Sequence, residues 1–209
     1  MKSKMNTFSL CSGALMAAVI CIMTMIVQIP IPLGYAHLGD AFILLTVAFL
    51  GKREGVWAGG IGSAMADLLT GYTQWVIPTL IIKAVLALIA GLLMFDKDGN
   101  FRLLSLRNAA AAIVSMAWMV FGYVVIGGVM YGSMASGLAS APGLLVKSVL
   151  NIAVYFVIAG VFEKAHVRTL IAARSCLKHH NLFYRENPPP LALHTGRGIF
   201  LFNVIYLPH

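Results

Sequence analysis

Four ionisable side chains interrupt otherwise apolar runs of this chain: Asp40, Asp67, Lys83 and Lys147. A charged group at the centre of a helix in lipid costs about 2.5–3.5 kcal/mol on insertion scales, so such groups face a partner or a polar cavity. Two acids and two bases can form ion pairs that orient helices, or they can line a site for a small polar ligand. The neighbouring residues favour the second reading. Tyr35, His37, Tyr72, Gln74 and Trp75 fall in short connections beside them, and Thr79 and Asn151 lie close by in sequence. Aromatic faces with a few hydrogen-bonding groups suit a flat heterocycle with polar edges. The aromatic residues also have a plainer explanation as an interfacial belt, and His37 as a helix cap.

The elements that must position these residues are membrane-spanning helices. The chain has 209 residues, of which 60% are hydrophobic and 11% charged, and its mean hydropathy is +0.88. Soluble domains run nearer a quarter charged. Apolar runs predict six helices, at about 8–28, 38–51, 55–71, 78–94, 109–131 and 144–162. Lys2 and Lys4 precede the first, Lys52 and Arg53 follow the second, Lys97, Arg102 and Arg107 follow the fourth, and Lys164 and Arg168 follow the sixth. The other connections hold no lysine or arginine. This alternation puts both termini in the cytoplasm by the positive-inside rule. The expected fold is therefore an all-α integral membrane protein, a compact six-transmembrane-helix bundle in the plasma membrane. Residues 1–164 form the membrane domain, and 165–209 a basic, proline-containing cytoplasmic tail with little order. The second span is short, which is tolerable where its outer end lies against protein rather than lipid. In this topology Asp40 lies at the outer end of its helix, and Asp67, Lys83 and Lys147 lie about one turn below the outer surface.

Other motifs narrow the function. The net charge of +8 sits between apolar runs and in the tail, which argues against nucleic acid. Cys11, Cys21 and Cys176 have no metal or redox spacing, and no metal site is expected. A polar turn is expected at 96–100. Gly59, Gly60, Gly62, Ser63, Ala64 and Ala66 make the third helix a packing helix, since small residues let backbones approach. Gly60-Ile61-Gly62 lacks the rest of a phosphate loop, so any ATP must be used by a partner subunit. Ser63 has no histidine in a span to activate it, and an enzyme is not expected. Pro30 and Pro32 forbid helix in the first connection, leaving an extended segment that serves as a lid or as a plain connector. Ala14 and Ala18 share a helix face and form a small-xxx-small pair, suited to packing within the chain or on another membrane protein.

Together, Ile29-Pro30-Ile31-Pro32 and Gly34-Tyr35-Ala36-His37-Leu38-Gly39-Asp40, then Gly60-Ile61-Gly62, Asp67-Leu68, Gly71-Tyr72, Pro78-Thr79 and Lys83, resemble the substrate-binding S components of energy-coupling factor (ECF) vitamin transporters, in their riboflavin-type branch. The resemblance covers about 8–164, is strong over 29–83, and does not extend into the tail. It implies a six-helix, non-catalytic subunit that captures a B-vitamin or precursor from outside, of riboflavin, pyridoxine or hydroxymethylpyrimidine type, with the first loop closing over it. It implies partners as well: a transmembrane scaffold subunit, onto which Ala14 and Ala18 dock, and two ATPase subunits that use the ATP. A self-sufficient proton-coupled transporter of a small polar metabolite is the alternative, with Asp and Lys as the relay.

Overall fold

The computed structural model describes residues 7–26, 28–31, 34–95, 101, 103, 105–165, 191–195 and 198–202. The chain divides into two units, Met1–Glu163 and Lys164–His209. The first contains α1 (Thr7–Ile26), β1 (Ile29–Ile31), β2 (Gly34–Ala36), α2 (Gly39–Leu50) and α3 (Lys52–Leu69). A 3-10 turn (Thr73–Trp75) follows, then α4 (Val76–Met94), α5 (Leu106–Met130), α6 (Met134–Ala139) and α7 (Ala141–Lys164). In the second unit, β3 (Leu191–Thr195) pairs antiparallel with β4 (Gly198–Phe202).

Among the described residues, four segments are long and apolar enough to cross a membrane: Thr7–Ile26, Thr73–Met94, Leu106–Met130 and Met134–Lys164. The 12 residues of α2 rise only about 18 Å, and α3 opens on Lys52, Arg53 and Glu54. Burial is inverted relative to a water-soluble protein. Asp40, Lys83, Asn108, Lys147 and Asn151 are buried, while Leu15, Ile26, Ile77, Val129, Val146 and Val149 are exposed. Polar groups inside and branched aliphatics outside are what a lipid solvent selects, and the chain is a multi-pass membrane protein.

α3 is the packing hub, and its small residues face different neighbours. A Cβ at Gly62 would lie 2.5 Å from the Ala17 carbonyl oxygen of α1. One at Gly59 would lie 2.9 Å from Ile43 of α2, and one at Gly60 3.2 Å from the Leu80 carbonyl oxygen of α4. The α2–α3 connection is a single residue, Gly51, at φ 109°. A side chain is disfavoured there, so glycine alone permits so abrupt a reversal. Its N–H donates to the Val47 carbonyl and its own carbonyl accepts from Gly55 N, both at 3.0 Å.

Several boundaries differ from the sequence expectation. The first connection is not merely extended: β1 and β2 pair antiparallel, with Pro30 opposite Tyr35. Residues that proline keeps out of helix fold back and pair instead, a short hairpin in an otherwise helical domain. α5 starts at Leu106 because the Ser105 hydroxyl accepts from Asn108 N at 3.1 Å, an N-cap that the apolar pattern does not reveal. α4 and α7 start before their prolines. Pro78 and Pro142 occupy first turns, where a missing N–H costs nothing. The short α6 was not expected. The polar turn at 96–100 lies outside the described residues, as does most of the tail, where the described residues form β3 and β4.

Replacing Gly62 by valine should push α1 and α3 apart and destabilise the protein by about 1–3 kcal/mol. Thermal unfolding in detergent measures this, and an unchanged midpoint would mean that the two backbones do not meet there.

Candidate functional site

The N-terminus of α2 is buried, and its first N–H groups must find acceptors there. Leu38, at the cap position, offers no side-chain oxygen. His37 supplies one acceptor, its Nδ1 receiving Gly39 N at 3.1 Å. Asn151 of α7 supplies another, its Oδ1 receiving Ala41 N at 2.8 Å. The Asn151 amide nitrogen donates to the carbonyls of His37 at 2.8 Å and Lys147 at 2.9 Å. One side chain thus ties α7, His37 ahead of α2, and α2 itself together.

Asp40 lies in the first turn of α2, where the helix dipole favours negative charge. Its Oδ1 takes the Lys83 ammonium of α4 at 2.5 Å. Its Oδ2 lies 3.2 Å from the Lys147 Nζ of α7. Lys147 Nζ is also 2.9 Å from His37 Nε2. Both amines stand over the ring of Tyr123 from α5, at 5.0 Å and 5.5 Å from its centroid, within cation–π range. The Tyr123 hydroxyl meets Thr79 Oγ1 at 3.1 Å. Trp75 packs against Tyr123 at 5.6 Å and Tyr131 at 6.4 Å between centroids. His37, Asp40, Thr79, Lys83, Lys147, Asn151 and Trp75 are all buried.

The structure therefore brings together seven of the eleven residues expected to bind a ligand, on α2, α4 and α7 and the residues preceding α2 and α4. The pairing differs from two acids matched with two bases, because both lysines converge on Asp40. Asp67 is buried at the end of α3, where its carbonyl accepts from Tyr72 N at 2.9 Å. Tyr72 is half-buried and Gln74 exposed. Tyr35 is placed by its backbone, in β2. Ala14 and Ala18 are both exposed on α1, on a face other than the one where Gly13 meets Trp57 and Ala17 meets Gly62.

Sequence reasoning missed two residues. Tyr123 sits inside an apolar run, and its phenolic hydroxyl in a span was the available signal. Thr24 of α1 is buried, and its Oγ1 has no hydrogen-bond partner among the described residues. That oxygen lies where a Cβ on Gly39 would be, so only glycine lets α1 approach the start of α2.

Comparison with known proteins adds three findings. Residues 4–170 match the family described as ECF-type riboflavin transporter, S component. A Pyrococcus woesei protein described as an uncharacterized protein in gap 3'region is 40% identical over 116 residues, 54% of this chain and 74% of the relative. The thiamine precursor transporter HmpT of Lactococcus lactis subsp. cremoris is 32% identical over 130 residues, 62% of this chain and 68% of the relative.

Because two ammonium groups share one carboxylate, Asp40→Asn should destabilise the fold by about 3–5 kcal/mol, the cost of stranding a buried charge. Adding Lys83→Met to that variant should restore part of the loss. Asn151→Leu should cost about 1–3 kcal/mol by removing the 2.8 Å bond from Ala41 N, which keeps only its 3.2 Å bond to the Leu38 carbonyl, and the bond to the His37 carbonyl. Thermal unfolding of the purified variants checks all three, and a double variant no more stable than Asp40→Asn would show that the pair is not coupled.

Proposed function

This chain belongs to the ECF-type riboflavin transporter S component family, and we propose that it is the membrane-embedded subunit that captures a B-vitamin or vitamin precursor for an ATP-driven transporter. The observation that carries this reading is the buried cluster of Asp40, Lys83, Lys147, His37 and Tyr123 inside a bundle whose exterior is apolar. Such groups are costly in lipid and are retained where they bind or conduct a solute.

In this proposal six helices span the membrane: α1, α2, α3, α4, α5 and α7. Both termini are cytoplasmic, and the cluster faces the outer half of the bilayer. The short α2 is accommodated because its N-terminus ends against His37 and Asn151 rather than in lipid. The β1–β2 hairpin, which ends one residue before His37, is the segment that opens to admit the ligand and closes over it. Trp75 and Tyr123 offer ring faces, while Asp40, Lys83, Lys147 and Thr79 offer polar contacts. Asp67, Tyr72, Gln74 and Tyr35 complete the site from the neighbouring connections, and Asn151 holds its frame. The substrate is of riboflavin, pyridoxine or hydroxymethylpyrimidine type; the similarity to a thiamine precursor transporter favours the last. This chain binds no cofactor of its own, and ATP is consumed by two partner ATPase subunits. Ala14 and Ala18, small and exposed, form the contact with the transmembrane scaffold subunit.

The test is ligand identification. The full chain, purified in mild detergent and denatured, should release a stoichiometric vitamin-like compound detectable by mass spectrometry. Lys83→Met should weaken its rebinding by about tenfold or more, as expected when a hydrogen bond to a charged group is lost. Ala14→Arg with Ala18→Arg should leave binding intact and abolish uptake by the assembled transporter. Uptake by the lone protein in proteoliposomes, driven by a proton gradient, would instead make it a self-sufficient transporter.

A further inference from the structure

Among the described residues, the buried serine and threonine hydroxyls find partners with two exceptions. Thr46, Ser115 and Ser148 each donate to the carbonyl four residues back, at 2.7, 2.7 and 2.8 Å. Ser140 donates to the Gly137 carbonyl at 2.6 Å, and Thr79 meets Tyr123. Thr24 on α1 and Ser63 on α3 are as deeply buried, yet neither hydroxyl has a hydrogen-bond partner among the described residues. A helical serine or threonine reaches the carbonyl of the preceding turn in a staggered rotamer, so a hydroxyl that does not is turned away from its own backbone.

Both exceptions fall at the start of α2. Thr24 Oγ1 is 2.1 Å from where a Cβ on Gly39 would stand. α3 runs back along α2 in steps of four residues, a Cβ at Gly55 meeting Val47 and one at Gly59 meeting Ile43. The next step of four brings Ser63 level with Gly39. Asp40 follows Gly39 and holds a third such oxygen. Its Oδ2 lies 3.2 Å from Lys147 Nζ as an ion pair but accepts no hydrogen bond among the described residues. Three buried oxygens, from α1, α2 and α3, thus gather around the first turn of α2. Burying such groups without hydrogen bonds is unfavourable, and folded proteins pair nearly all of them. The carboxylate oxygen can only accept, whereas each hydroxyl can donate or accept.

We propose that Thr24 and Ser63 are ligand contacts, and that the substrate site extends to α1 and α3, where it takes a heterocycle edge carrying an N–H or O–H donor beside an acceptor. The donor goes to Asp40 Oδ2, and the acceptor receives the hydroxyl hydrogen of Thr24 or Ser63. This rests on the reading of the chain as a vitamin-capturing subunit and specifies the polar edge of its substrate. An amino group beside a ring nitrogen is such an edge, and so is an imide N–H beside its carbonyls. An edge of acceptors alone would set lone pairs against the carboxylate. A hydroxyl kept for a ligand weakens the ligand-free fold and strengthens the complex, so its removal moves stability and affinity in opposite directions. A purely structural hydroxyl would lower stability and leave affinity alone.

The test uses the purified full chain with riboflavin, pyridoxine and hydroxymethylpyrimidine, read by calorimetry and thermal unfolding. Each compound is paired with an analogue whose donor hydrogens at the ring edge are replaced by methyl: N3-methylriboflavin, 3-O-methylpyridoxine and the dimethylamino pyrimidine. For the compound that binds, the methylated analogue should bind about ten- to hundredfold more weakly, the size of one hydrogen bond to a charged group. Thr24→Val should weaken binding of the parent compound by about three- to tenfold, the size of a neutral hydrogen bond, while the ligand-free unfolding midpoint stays level or rises. Thr24→Ser, which keeps the hydroxyl, should bind as the wild type does. Should Thr24→Val not fold, Ser63→Ala and the methylated analogues decide the matter. Vitamin binding that is indifferent to both hydroxyls, as when they bond only to water, overturns the extended site and leaves vitamin capture standing. So does an analogue that binds as tightly as its parent. No binding by any of the three compounds, with none released on denaturation, overturns both.

Discussion

A carboxylate sealed inside an apolar bundle is the constraint from which the rest of the arrangement follows. Asp40 is wholly buried, and a lone carboxylate in such a place is far more costly than a paired one. Three things offset that cost here: the positive end of α2, the Lys83 ammonium and the Lys147 ammonium. Each comes from a different helix, so the charge can be accommodated only in the assembled bundle. Both amines stand over the π-face of Tyr123, which attracts them where a hydrocarbon would not. Asn151 bonds backbone groups at the start of the short α2, the Ala41 N–H and the His37 carbonyl.

The glycines of α3 make that convergence possible. Three nonequivalent faces of one helix lack side chains where α1, α2 and α4 approach. Without a hydrophobic driving force between helices in lipid, close backbone contact is what holds them. The same closeness brings α1 against the start of α2 at Gly39 and so places the buried Thr24 hydroxyl beside His37. Packing at one level of the bundle thereby sets the spacing of polar groups at another.

The fold was legible in the sequence to the extent that depth was legible. Residue offsets from the helix ends placed Asp40, Lys83 and Lys147 at one level, and both lysines do reach Asp40. Rotation about each helix axis was not available, because it depends on which neighbour a side chain packs against. Two lysines sharing one acid is therefore a packing outcome, and so is the use of Asn151 as a brace rather than an open hydrogen-bonding group. Tyr123 was hidden because a tyrosine in an apolar run reads as bulk. The β1–β2 pairing was hidden because prolines announce what a segment cannot be, not what it pairs with. α6 was hidden because six residues carry too little periodicity to register.

The wide separation in sequence of the cluster's members bears on how the chain is made. Asp40 emerges from the ribosome 43 residues before Lys83, and His37 precedes Lys147 by 110. α2 is short, carries an acid at its leading end and is joined to α3 by Gly51 alone, so the two form one tight helical hairpin. Asp40 then has no counter-charge until α4 arrives, and the ring of contacts around it closes only when α7, the last helix among the described residues, takes its place. A chain that stalls before α7 presents an unfinished polar centre to lipid. That gives membrane quality control a physical mark by which to tell it from a finished one.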